Sequence, residues 1–151
     1  MIGRRHWGAL VLAATVASVG GLAIAAPSPG PEISVYKNAS CGCCKKWVEH
    51  LQAAGFRVTV HDTSSLAGVM ERYGVPRKLT ACHTAVVDGY VVEGHVPADV
   101  IRRLLKERPE IAGVGVAGMP AGSPGMESET PARYYILTFD KNGTTSVYGA
   151  R

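Results

Sequence analysis

Cys41-Gly42-Cys43-Cys44 constrains this 151-residue chain more than any other stretch. Three of the four cysteines of the chain fall here, and the fourth, Cys82, stands alone in Cys82-His83-Thr84. Cys41 and Cys44 form a C-x-x-C pair with an additional thiol, Cys43, inside it. An apolar run, Ile33 to Tyr36, precedes the group, and Trp47, Leu51 and Ala54 follow at helical spacing. The pattern predicts a strand, a cysteine loop and a helix that begins near Lys45. At a helix N-terminus, unpaired N–H groups and the positive end of the dipole favour a thiolate. Lys45 and Lys46 add positive charge. The cysteines are therefore expected to ionise more easily than a free thiol. A thiolate is both a redox nucleophile and a soft metal ligand, so the stretch suits either use.

Residues 1–25 read as a signal peptide. Arg4 and Arg5 form a positive start, Leu10 to Ile24 is almost wholly apolar, and Ala23-Ile24-Ala25 fits a small-residue cleavage site. An uncleaved leader would instead anchor the chain in a membrane. Export places the chain in the periplasm or another extracytoplasmic compartment, where disulfides persist. Without Arg4 and Arg5 the formal charge of +4 falls to +2. That charge, together with few aromatics and no basic stripe, excludes a nucleic-acid reading. Residues 26–32, with Pro27, Pro29 and Pro31, read as a linker, and 33–151 as one domain.

Taken in order, Ile33 to Lys37 predicts a first strand and Lys45 to Ala54 a first helix that Gly55 stops. On that helix His50 faces away from Trp47 and is expected in solvent. Arg57 to His61 alternates as a second strand, with His61 read as structural. Leu66, Val69, Met70 and Tyr73 predict a second helix. Thr84 to Val87 and Tyr90 to Glu93 flank Asp88-Gly89, a strong hairpin signal. Pro97 opens a third helix with Val100, Ile101, Leu104 and Leu105 as its apolar face and Arg102, Arg103 and Lys106 as its wet face. The resulting order, β-α-β-α-β-β-α, is that of thioredoxin-like α/β domains. Ile111 to Met126 reads as a long glycine- and proline-rich loop carrying Met119 and Met126. Arg133 to Asp140 and Thr144 to Tyr148 predict a terminal hairpin around Asn142-Gly143.

Four chemistries fit four cysteines. A disulfide framework is hampered by the adjacent Cys43 and Cys44. A thiol–disulfide oxidoreductase would use Cys41 and Cys44, but such domains carry a cis-proline before the third strand, where this chain has Cys82-His83. Structural zinc prefers two separated C-x-x-C knuckles. Copper(I) is selected by soft thiolates and thioethers, and crowded cysteines suit thiolates that bridge several ions. Met119 and Met126 offer further soft donors, and His83 and His95 are candidate ligands beside Cys82. Trp47, three residues beyond Cys44, is expected as a lid on the cluster.

Several separated motifs resemble one family. They are Cys41-Gly42-Cys43-Cys44-Lys45-Lys46-Trp47, Cys82-His83-Thr84-Ala85, Glu93-Gly94-His95-Val96-Pro97-Ala98 and Gly118-Met119-Pro120-Ala121-Gly122-Ser123-Pro124-Gly125-Met126-Glu127. In this order they are similar to the signatures of the CopG-type copper-resistance proteins, exported metal-binding proteins classed as domain-of-unknown-function family 411. The resemblance spans roughly Ile33 to Tyr148. It implies a thioredoxin-like domain in which Cys41, Cys43, Cys44 and Cys82 hold a multinuclear Cu(I) cluster. From such a cluster we expect copper handling or resistance, by sequestration or by redox conversion of copper, since multinuclear copper–thiolate sites hold more than one oxidation state, with copper ions and other periplasmic copper-handling proteins as partners.

Overall fold

The computed structural model describes residues 30–151. The expected signal peptide lies outside these residues. Among the described residues no helix is long and apolar enough to cross a membrane.

The described residues build a mixed α/β fold, one seven-stranded sheet with three helices. The elements are β1 (Glu32–Lys37), α1 (Gly42–Ala53), β2 (Arg57–Asp62), α2 (Leu66–Arg72), β3 (His83–Val87), β4 (Tyr90–Glu93), α3 (Ala98–Glu107), β5 (Gly113–Gly115), β6 (Tyr135–Phe139) and β7 (Thr145–Ala150). A 3-10 turn at Arg77–Leu79 leads to Cys82. The sheet order is β2-β1-β3-β4-β5-β6-β7. β1 runs parallel to β2 and β4 parallel to β5, so each pair needs a crossover, supplied by α1 and α3. The remaining neighbours are antiparallel.

Alternation along β4 shows how the layers separate. Val92 packs with Ile33, Val35, Trp47, Leu51, Ile101, Leu104 and Ile136, the core between the sheet and helices α1 and α3. Val91 points the other way, against Leu79 and Phe139. Full burial of each large aliphatic side chain contributes roughly 1.5–3 kcal/mol. Both predicted hairpins form. Asp88 (φ 47°) and Gly89 (φ 84°) are both left-handed, the backbone that a two-residue hairpin turn requires. Asp140 Oδ1 accepts from the amides of Asn142 and Thr144 and fixes the second turn.

Three expectations change. α1 begins at Gly42 rather than Lys45, because Cys41 itself is the N-cap and Cys43 and Cys44 occupy the first turn. The segment read as a structureless loop contains β5, whose first glycine is required by close approach. A Cβ at Gly113 would collide with the Val91 carbonyl and approach the Phe139 ring to 2.8 Å. The arginines of α3 tie the helix to its neighbours instead of only facing water. Arg102 donates to the Ala54 carbonyl, and Arg103 donates to the Tyr148 carbonyl at 2.6 Å while stacking over its ring.

Candidate metal centre

The N-terminus of α1 supplies three of the four sulfurs. Cys41 has extended backbone (φ −73°, ψ 100°), and its sulfur accepts from the Cys44 amide at 3.3 Å. Cys41 and Cys44 are joined as a disulfide, while Cys43 and Cys82 are free thiols. Cys43 Sγ lies 3.6 Å from Cys41 Sγ and 3.6 Å from Cys82 Sγ. Cys44 Sγ lies 3.2 Å from the Cys82 carbonyl oxygen. All four sulfurs fall within 4.8 Å of one another. Met119 extends the sulfur set: its Sδ is 3.9 Å from Cys43 Sγ, and its side chain is half exposed.

Cys82 sits between the 3-10 turn and β3 and is clamped from below by a buried acid. Glu93 Oε1 accepts from the Ala81 amide at 2.9 Å, and Oε2 accepts from the Thr84 hydroxyl at 2.7 Å. Glu93 is fully buried, and burial pushes its carboxyl up to about 7 despite these two donors. Burial, then the hydrogen bond with Cys43, pushes the Cys82 thiol up to about 12. The easier ionisation expected of the helix-terminal cysteines does not extend to Cys82. Cys82 is not on a helix, and Lys45 and Lys46 are exposed, with Lys46 reaching Glu127 at 3.8 Å. A metal that binds Cys82 must therefore displace its proton.

Two imidazoles face the same sulfur. His95 Nε2 is 3.0 Å and His83 Nδ1 is 3.4 Å from Cys82 Sγ. His95 Nδ1 is 2.8 Å from the Pro124 carbonyl oxygen, which can only accept. The proton is thus on Nδ1, and Nε2 presents a lone pair to the sulfur. Both rings are fully buried. Burial, then the nearby His95, lowers His83 to about 3, and burial lowers His95. Both are neutral at neutral pH and competent as ligands. Among the described residues His83 Nε2 is buried without a hydrogen-bond partner, an arrangement that costs about 1–3 kcal/mol.

The glycine–proline strap 118–127 closes one side. Gly125 has φ +86°, and a Cβ there would lie 2.7 Å from the Cys43 carbonyl oxygen and 3.0 Å from the Trp47 amide nitrogen. Glu127 Oε1 accepts from the Gly125 amide at 2.6 Å. Met126 enters through its main chain, bonding Ser123 and Gly122.

The sequence-predicted donors thus divide. The four cysteines, His83, His95 and Met119 converge, while Met126 shapes the strap. Trp47 is not a lid: it is fully buried, its Nε1 donates to the Val96 carbonyl at 2.9 Å, and its ring lies 4.2 Å from that of His83. His50 is not in solvent. It is half-buried and accepts from the Ala98 amide at 3.1 Å, at the start of α3, where Pro97 has no side-chain acceptor. His61 stacks on Tyr36. Sequence reasoning missed Glu93 and the Pro124 carbonyl. Both residues lie inside the quoted motifs, and Glu93 stands out further as a lone acid ending the apolar run Tyr90-Val91-Val92.

The donor set suits a soft metal: four sulfurs, a thioether beside them and two neutral imidazoles. The comparisons with known proteins agree. A family model described as "Protein of unknown function, DUF411" matches residues 79–126, the stretch that holds Cys82, His83, His95 and Met119. No curated protein matches the chain. Two solved structures do, "Copper resistance protein copG- Form 1" and "Form 2". Each is 44% identical over 81% of this chain and 98% of its own, with TM-scores of 0.76 and 0.77. At that identity and coverage, the chain belongs to the CopG family of copper resistance proteins.

Proposed function

We propose that this chain is an exported, periplasmic copper-binding protein of thioredoxin-like architecture. It holds Cu(I) as a multinuclear cluster on Cys41, Cys43, Cys44 and Cys82. Its role is copper handling and resistance, including redox conversion of copper ions exchanged with other periplasmic copper-handling proteins. The observation that carries the reading is the convergence of four sulfurs, from segments far apart in sequence, within 4.8 Å. The crowding of Cys43 between Cys41 and Cys82 favours bridging thiolates. With the bridge closed, only Cys43 and Cys82 are thiols. A dithiol reductant opens it, passing two electrons and two protons to Cys41 and Cys44 as its own thiols become a disulfide, and copper then displaces protons from the four-thiol form. Met119 adds a soft donor at the exposed side.

The Cys41–Cys44 disulfide favours a second reading, a thiol–disulfide oxidoreductase that uses this pair. One experiment separates the two. The reduced chain is loaded with Cu(I) without oxygen, and copper and protected thiols are counted in wild type, Cys43→Ser and Cys82→Ser. The cluster reading expects more than one copper per chain, all four thiols protected, and copper lost in both variants. Unchanged stoichiometry in both variants would refute it. Disulfide exchange that survives Cys82→Ser, with no copper retained by wild type, would establish the oxidoreductase instead.

A further inference from the structure

β2 forms one edge of the sheet, and the edge is regular along its whole length. It pairs with β1 over all six residues without a register shift. The Arg57 amide donates to the Pro31 carbonyl at 2.9 Å, and the Thr63 amide to the Lys37 carbonyl at 2.8 Å. By the two-residue alternation of a strand, Arg57, Thr59 and His61 turn their backbone groups to β1, while Val58, Val60 and Asp62 turn theirs to the open side. Among the described residues no further strand bonds to that side.

The other edge of the sheet is blunted. β7 breaks register beside Ile136 and Leu137, and Arg103 occupies the Tyr148 carbonyl. β2 has neither device, and it contains no proline and no lysine. Its Val60 is 41% exposed although it shares a sheet face with Val58, which packs against the core. The charges at its ends are neutralised within the sheet, Arg57 by Glu32 at 3.3 Å and Asp62 by Lys37 at 2.8 Å. The edge therefore carries no net charge to hold a like edge away.

We propose that β2 pairs antiparallel with β2 of a second copy of this chain, about a two-fold axis at Thr59. Such an axis stands perpendicular to the sheet and keeps each face on its own side, so opposed residues must share a face. Centred on Thr59, Val58 of each copy opposes Val60 of the other. Both residues present outward backbone groups, so each valine pair exchanges both of its hydrogen bonds, and the exposed Val60 is covered. Thr59 meets its own counterpart, a favourable cross-strand pair. On the outer face Arg57 arrives at the stack of His61 on Tyr36, a flat surface that suits a guanidinium. Centred on Val60 instead, the Asp62 carboxylate would oppose Val58; centred on His61, it would oppose Val60. Only the Thr59 register sets valine on valine. No donor of the metal centre lies on β2, so the dimer is independent of copper binding.

An edge pairing of this length belongs with the small interfaces, below about 1,200 Å², so the dimer is weak and reversible. The test follows the exported chain by sedimentation velocity at concentrations up to about 1 mM, the weak end of protein association. A dithiol reductant keeps Cys43 and Cys82 from cross-linking the copies. A reversible monomer–dimer equilibrium is expected. Deuterium exchange at the Val58 and Val60 amides should slow in step with the dimer population, while that at Thr59 and His61, already bonded to β1, stays constant. Val60→Lys should weaken dimerisation at least about tenfold, because the two-fold axis repeats the change. Val60→Pro removes only an outward N–H and should act in the same direction. Wild-type copper stoichiometry in Val60→Lys shows that its fold is intact. Val147→Lys, on the blunted edge, should leave the dimer unchanged. A chain that stays monomeric throughout, a dimer whose Val58 and Val60 amides gain no protection, or a dimer abolished by Val147→Lys would overturn the proposal.

Discussion

His95 donates from Nδ1 to the carbonyl oxygen of Pro124 across 2.8 Å, and this bond ties the strap 118–127 to the cysteine–histidine cluster beneath it. The strap does not merely cover the sulfurs. It decides which nitrogen of His95 faces Cys82, and it brings Met119 to the edge of Cys43.

Gly125 is where the strap comes closest to α1. Gly125→Ala combines a left-handed backbone with a Cβ pressed against the Cys43 carbonyl and the Trp47 amide. It is expected to cost about 1–3 kcal/mol and to speed the loss of copper to a chelator. Thermal denaturation and a competition time course check both effects. An unchanged melting temperature would mean that the strap is not seated as described.

Glu93 makes a pH-dependent contribution of definite sign in the metal-free protein. Its carboxyl is raised to about 7 in the fold, above the ordinary value of 4.5. Its contribution is therefore complete below pH 4.5, declines as pH rises, and is lost above about 7. The span corresponds to about 3 kcal/mol. Glu93→Gln keeps the shape and removes the ionisation. The difference in unfolding free energy between the two proteins should grow in favour of the variant from pH 4.5 to 7. A difference that stays flat over that window would contradict the burial argument.

Met119→Leu keeps the bulk and removes the thioether that lies 3.9 Å from Cys43 Sγ. The number of copper ions bound by the reduced protein should not change. Retention against a Cu(I) chelator should weaken about tenfold, a difference of about 1.4 kcal/mol. Equal retention would assign Met119 to the surface rather than to the site.

His50→Ala tests a structural role. The Ala98 amide would lose its acceptor at the start of α3, which costs about 1 kcal/mol for a lost cap. Burial lowers the His50 pKa, so the ring remains a neutral acceptor at neutral pH. Denaturation should show the loss, and copper stoichiometry should remain that of wild type. Copper loss at unchanged stability would reverse the assignment.

What could be read from the sequence was local. Asp88-Gly89 and Asn142-Gly143 announced their hairpins because the turn chemistry lies in the turn residues themselves. The cysteines, His95 and Met119 could be singled out because few other residue types bind soft metals. β5 could not, because Gly113-Val114-Gly115 reads as a loop until the Val91 carbonyl and the Phe139 ring are known to lie against it. Glu93 and His50 were opaque for the same reason. Their partners are the Ala81, Thr84 and Ala98 groups, and only the closed sheet and the packing of α1 on α3 bring them together. The start of α1 was misplaced because a cysteine is an unusual cap, recognisable only from its sulfur accepting the Cys44 amide.

The Cys41–Cys44 bridge spans a sequence separation of only three. Chain-entropy reasoning gives a loop this short about 2 kcal/mol of stabilisation, against about 4.7 for a hundred-residue loop. Opening this bridge therefore costs the fold less than half of what opening a hundred-residue loop would. The sheet and helices carry most of the support around the sulfurs, so the bridge can open or close without being the main brace of the chain.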